Sequence, residues 1–161
     1  ILAAVNGVAA GAGANIALAC DVVVAKESVS FIQAFSAIGL IPDSGGTFYL
    51  PRLIGFQKAS AIAMLADKIS AHEAEAMGMI YKTVADVEFD EEVEKLINKL
   101  ASLPTKGLAL TKQAFNESMT NSLEQQLDVE SKLQILASKT EDYSEGVNAF
   151  MEKRRPEFKG K

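Results

Sequence analysis

Between Ala9 and Ala14 the chain reads Ala-Ala-Gly-Ala-Gly-Ala, a stretch with no side chain larger than a methyl group. Upstream, Leu2 to Val5 is a short apolar run ended by Asn6-Gly7, and downstream Ala12 to Ala19 is rich in good helix formers. The segment therefore predicts an apolar strand joined to a small-residue helix. Small residues let a helix pack closely on a sheet. They equally let a ligand carbonyl reach the unpaired N–H groups near Ala12 and Gly13, where a helix start collects partial positive charge. Residues 9–14 alone leave both uses open. A nucleotide cradle is set aside, because Gly11-Ala12-Gly13-Ala14-Asn15-Ile16 lacks the third glycine of G-x-G-x-x-G and no G-x-x-x-x-G-K-[ST] occurs.

A second constraint is Gly39-Leu40-Ile41-Pro42-Asp43-Ser44-Gly45-Gly46-Thr47, which places one carboxylate between a proline that fixes the approach dihedral and glycines that permit tight geometry. Asp43 reads either as the N-cap of a helix entering Thr47-Phe48-Tyr49-Leu50 or as an acid aimed by the chain. At its ordinary pKa of about 4 an aspartate is a poor proton donor at neutral pH. Burial among Phe35, Ile38, Leu40 and Ile41 is expected to raise that value.

The first part of the chain has α/β patterning. Val22-Val23-Val24 and Ser30-Phe31-Ile32 have strand length and composition, Phe56 to Ala66 reads as a helix, and Ile80 to Val84 as a last short strand. Beyond that point the pattern is helical only. Phe89, Val93, Leu96, Ile97 and Leu100 form one apolar stripe stopped by Pro104, and a helix opens at the capping box Ser122-Leu123-Glu124-Gln125. A final helix follows Thr140. The expected division is an α/β core over residues 1–88 and a helical region over residues 89–161, whose stripe must bury against the core or another subunit.

With 161 residues, 48% of them hydrophobic, the chain is long enough to bury a core, and a net charge of −5 argues against nucleic acid as a partner. From Lys153 to Lys161 five of nine residues are basic, which suits an anionic group such as a phosphate or a solvated, frayed tail. Cys20 is the single cysteine and is expected to be buried in an apolar helix, with the cytoplasm as the simplest compartment. The lone histidine, His72, lies in the capping box Ser70-Ala71-His72-Glu73 and reads as an exposed first-turn residue. No His/Cys cluster suggests a metal, and no apolar run reaches transmembrane length.

The segments Ala9 to Ala14, Ala34-Phe35-Ser36, Gly39 to Asp43, Phe48 to Gly55 and Glu145-Gly146-Val147-Asn148-Ala149-Phe150 together resemble the enoyl-CoA hydratase/isomerase (crotonase) superfamily. Within it they are similar to the isomerases of ring-1,2-epoxyphenylacetyl-CoA. The resemblance covers essentially the whole chain. It implies a partial crotonase-like ββα spiral followed by a C-terminal helical oligomerisation region, assembled as a trimer or hexamer. The implied partner is an acyl-CoA thioester, with coenzyme A as part of the substrate, no separate cofactor or metal, and neither nucleic acid nor membrane.

Carried over residue by residue, the resemblance gives Asp43 the proton-transferring role and the Ala12 N–H one of two oxyanion donors, flanked by Gly11 and Gly13. Asn15 and Phe35 occupy the positions of the two glutamates that activate water in hydratases, and neither is a base, so two-glutamate hydration is not expected. Both are carried over as substrate-contacting positions, and Lys153 matches a lysine near the coenzyme A nucleotide. The second oxyanion donor lies, in the family, ahead of the segment matching Ile1. The chain thus reads as a C-terminal portion, expected to be inactive alone, of an acyl-CoA thioester isomerase. Two alternatives stand beside it: a 4-chlorobenzoyl-CoA dehalogenase-like enzyme with Asp43 as nucleophile, and a non-catalytic oligomerising module.

Overall fold

The computed structural model describes residues 1–161. Its first part alternates short strands and helices: Leu2–Val5 (β1), Ala9–Ala10 (β2), Ala12–Leu18 (α1), Val22–Lys26 (β3) and Ser30–Ile32 (β4). A single 3₁₀ turn at Ser36–Ile38 leads to Gly46–Ile54 (α2), Phe56–Leu65 (α3), Lys68–Ser70 (β5), Ala71–Ala76 (α4) and Lys82–Val84 (β6). Strands β1, β3 and β6 form one parallel sheet with β3 in the middle, while β4 sits between a parallel β2 and an antiparallel β5 in the other. Successive passes of the chain lay one strand in each sheet, β1 then β2 and β3 then β4. This is the ββα spiral of the expected fold class.

The central strand explains itself from sequence. Flanked on both edges, β3 buries Val23, Val24 and Ala25, the near-continuous apolar run a parallel interior strand requires. Helix α1 buries Ala14 and Leu18 in the same core, which also takes Ala9, Phe31, Leu50 and Ile62. The close-packing use of the small-residue run is therefore realised. The connection from β2 to α1 passes through Gly11 at φ 52°, a conformation that favours glycine, and its N–H donates to the Ile32 carbonyl at 2.9 Å.

Several boundaries differ from expectation. The last strand starts at Lys82, because Ile80 and Tyr81 belong to a bend in which the Tyr81 N–H donates to the Val23 carbonyl. Cys20 lies beyond the α1 C-cap Ala19 and is half-buried, with its thiol directed at the Ile16 carbonyl. The Ser70–Glu73 capping box forms in both directions, and His72 is exposed beside it.

The chain divides within Phe89–Ala101 (α5) into compact units Ile1–Glu94 and Lys95–Lys161. The second unit contains Thr105–Ser118 (α6), Leu123–Ala137 (α7) and Glu141–Met151 (α8). Pro104, expected to stop α5, also serves as the N-cap residue of α6. The Ser122–Gln125 capping box opens α7, and Thr140 caps α8 by accepting from the Tyr143 N–H at 3.0 Å. No helix is long and apolar enough to cross a membrane.

The expectation of a frayed tail is corrected. Buried Asp142 accepts from the Lys159 and Gly160 amides at 2.6 and 2.8 Å, and Glu145 accepts from the Glu157 amide at 2.8 Å. Arg154 grips Glu145 with both terminal nitrogens, at 2.6 and 2.9 Å, so one of the five tail cations is already paired inside the unit. That guanidinium, helped by the Glu157 amide, lowers the Glu145 carboxyl from 4.5 to about 2. A depressed carboxyl contributes stability that is complete above its unfolded value and disappears as pH falls through the folded one. Acidification from about pH 4.5 toward pH 2 is therefore expected to loosen residues 152–158, seen as faster amide exchange at Glu157. Glu145→Gln should show fast Glu157 exchange already at neutral pH.

Candidate active site

The site is assembled where α1, the end of β4 and the loop before α2 meet. Ala12 opens α1 half-buried, Gly13 is exposed, and both sit in the first turn, whose N–H groups have no intrahelical acceptor. Phe35 is buried, and its ring edge lies 3.5 Å from where a Cβ on Gly11 would stand. The ring thus closes the floor beneath the Gly11 turn.

Asp43 sits on the connection between the 3₁₀ turn and α2. Its carbonyl accepts twice, from the Gly46 N–H at 2.8 Å and from Asn15 Nδ2 at 2.9 Å. Ser44 and Gly45 follow at φ 48° and 81°, so the chain reverses through two left-handed residues before α2 begins. Positions 45 and 46 call for glycine for distinct reasons. A Cβ on Gly45 would meet the Tyr49 ring at 2.9 Å, and one on Gly46 would meet the Asn15 amide at 2.3 Å.

These facts remove one reading of Asp43. The N-cap of α2 is Gly45, with no side-chain cap hydrogen bond, so Asp43 does not cap the helix. Its carboxylate makes no hydrogen bond or ion pair within the chain, while its backbone is pinned. The expected apolar burial is corrected as well. Asp43 is exposed, and Ile38, Leu40 and Ile41 are 73%, 59% and 79% exposed, because no layer of the first unit packs over residues 36–43. Of the four side chains expected to surround the acid, Phe35 alone is buried.

Asn15 also differs from its expected place as a substrate contact. It is 1% exposed, and both ends of its amide are engaged within the chain: Nδ2 with Asp43, and Oδ1 with Gln33 Nε2 at 2.7 Å. Sequence reasoning does not single out Gln33. It follows an apolar strand without any motif, and its partner lies in a separate element, so only the folded chain reveals the pairing. Lys153 belongs to the second unit, where it is exposed at φ 55° with its N–H on the Phe150 carbonyl.

The Enoyl-CoA hydratase/isomerase family profile matches residues 1–161. The chain belongs to that family. Over all 161 residues of this chain it is 49% identical to the 1,2-epoxyphenylacetyl-CoA isomerase of Escherichia coli (strain K12) and 48% identical to a probable enoyl-CoA hydratase of Rhodobacter capsulatus. Among solved structures, the enoyl-CoA hydratase of Bacillus anthracis superposes with a TM-score of 0.95 at 35% identity over 99% of this chain. The chain spans 62% and 63% of the two curated relatives and 62% of that structure. Members of the family with hydratase and isomerase names thus share this fold, and the difference between the activities must be sought in side chains.

The closeness of Asn15 to Gly46 yields a direct check. Gly46→Ala in the full-length protein should lower stability by about 1–3 kcal/mol, the usual cost of forcing an extra carbon into a filled interior, read as a lower denaturant midpoint with unchanged slope.

Proposed function

We propose that the protein carrying this chain isomerises acyl-CoA thioesters, with Asp43 moving the proton and the Ala12 N–H donating to the thioester oxygen. One observation carries this reading: Asp43 is held by its main chain while its carboxylate stays free of any partner in the chain. A carboxylate so placed can take a proton from carbon and give it back. On a 3-enoyl thioester, Asp43 takes a proton from C2 and the C2–H electron pair moves into the C2–C1 bond, pushing charge onto the thioester oxygen. Return of the proton at C4 leaves the double bond between C2 and C3. Donors aimed at the developing oxyanion contribute about 3–4 kcal/mol each where one has been removed by mutation. On a ring-1,2-epoxide of phenylacetyl-CoA, the 49% identity to an enzyme of that name supports ring expansion to an oxepin as the reaction.

Hydration by two glutamates has no support in the residues, since the matching positions hold Asn15, whose amide is engaged, and Phe35, a hydrocarbon. Self-assembly through the helical region, as a trimer or hexamer, is supported by exposed apolar residues on α7 and α8, among them Leu123, Leu127, Ile135 and Phe150. The cytoplasm remains the proposed location.

The deciding experiment is Asp43→Asn in the full-length protein, assayed on epoxyphenylacetyl-CoA and a cis-3-enoyl-CoA. Turnover is expected to fall about 10²–10⁴-fold with the fold intact, and near-normal turnover would discard the assignment. Chloride release from 4-chlorobenzoyl-CoA would instead make Asp43 a nucleophile.

A further inference from the structure

We infer that Asn15 and Gln33 form a one-way hydrogen-bond clamp that positions Asp43, which makes both of them positioning residues rather than substrate contacts. This rests on the reading of Asp43 as the proton-transferring group.

The direction of the clamp follows from its last member. A backbone carbonyl can only accept, so the Asn15 atom 2.9 Å from the Asp43 oxygen must be Nδ2. Oδ1 therefore faces Gln33, which must answer with Nε2, as it does at 2.7 Å. Only one orientation of the two amides satisfies all three groups. Gln33 is 3% exposed, and its own Oε1 is buried with no partner. A glutamine retained for packing alone would have no reason to strand a polar atom there. Gln33 makes sense where its donor is needed.

The clamp joins the two halves of the site. The Asn15 N–H is bonded to the Gly11 carbonyl at 3.1 Å, so the residue that holds Asp43 belongs to the same turn that presents the Ala12 N–H. On the other side Gly46, without a Cβ, brings the α2 backbone directly against the Asn15 amide. Both lone pairs of the Asp43 carbonyl are taken, by Asn15 and by Gly46. The backbone at position 43 is thereby registered to the start of α1, and the carboxylate alone retains freedom to move.

Asn15→Asp keeps the size of the side chain and, when ionised, has no donor for the Asp43 carbonyl, and Gln33→Met removes the orienting donor together with the stranded acceptor. The two are made in the full-length protein and assayed on a cis-3-enoyl-CoA beside Asp43→Asn. Both clamp variants are expected to lower kcat about 10–100-fold with KM within about threefold, as misplacement of a reacting group does. Near-UV circular dichroism should stay native. Should buried charge unfold Asn15→Asp, Gln33→Met decides, because its replacement is apolar and of similar length. Native kcat in folded Gln33→Met overturns the inference, and so does a fall in stability with kcat unchanged or a loss confined to KM. Retained turnover in Asp43→Asn strikes the proton-transfer reading itself. Loss in Asp43→Asn with full kcat in the clamp variants strikes the clamp alone.

Discussion

The contact on which the site depends is the absence of a side chain at Gly46, which lets the first residue of α2 close onto the buried amide of Asn15. Close-packed interiors transmit such contacts with little slack. A methyl group there would separate α1 from α2, and with that separation the Asn15 bond to the Asp43 carbonyl would be lost. The unusual backbone at Ser44 and Gly45 belongs to the same constraint. Left-handed φ at Ser44 costs roughly 1–2 kcal/mol in an unconstrained chain, and here the bonds on either side of the reversal hold it in place.

Family membership leaves the chemistry open, since hydratase and isomerase relatives share the fold. The proposed reading rests on the side chains. Where a hydratase needs acids to hold water, this chain has an amide turned inward and a buried ring. Asn15 thus does the opposite of what a base at that position would do: it faces the protein and fixes a neighbour. An ionised carboxylate at the same place would have no proton to donate to that carbonyl, whereas the amide supplies one in its only protonation state.

Several elements of both units are legible from local pattern. The strands Leu2–Val5 and Ser30–Ile32 and the Ser70 and Ser122 caps have their cause within a few residues of themselves. Asp43 stood out for the same reason, being framed by Pro42 and the glycines. What escaped reading depends on distant partners. Gln33 has meaning only through Asn15, the tail is ordered only because Asp142 and Glu145 receive its amides, and Ile38, Leu40 and Ile41 look buried by composition but find no covering layer in the first unit. Two-residue β2 is too short to carry a pattern and exists because Phe31 and Ile32 offer it an edge.

The sheet order has a consequence for how the molecule forms. Strands β1 and β3 are joined through a short stretch of chain, but β6 reaches β3 only after residues 27–81 have been laid down. Pairings with such long intervening segments are slow, because the loop must close before the contact repays it. The β1–β3 pairing therefore closes the shorter loop, and docking of β6 on the other edge of β3 closes the longer one. Until then one edge of the valine-rich β3 is open to any passing strand, so refolding at high protein concentration should favour wrong partners over the slow arrival of the right one.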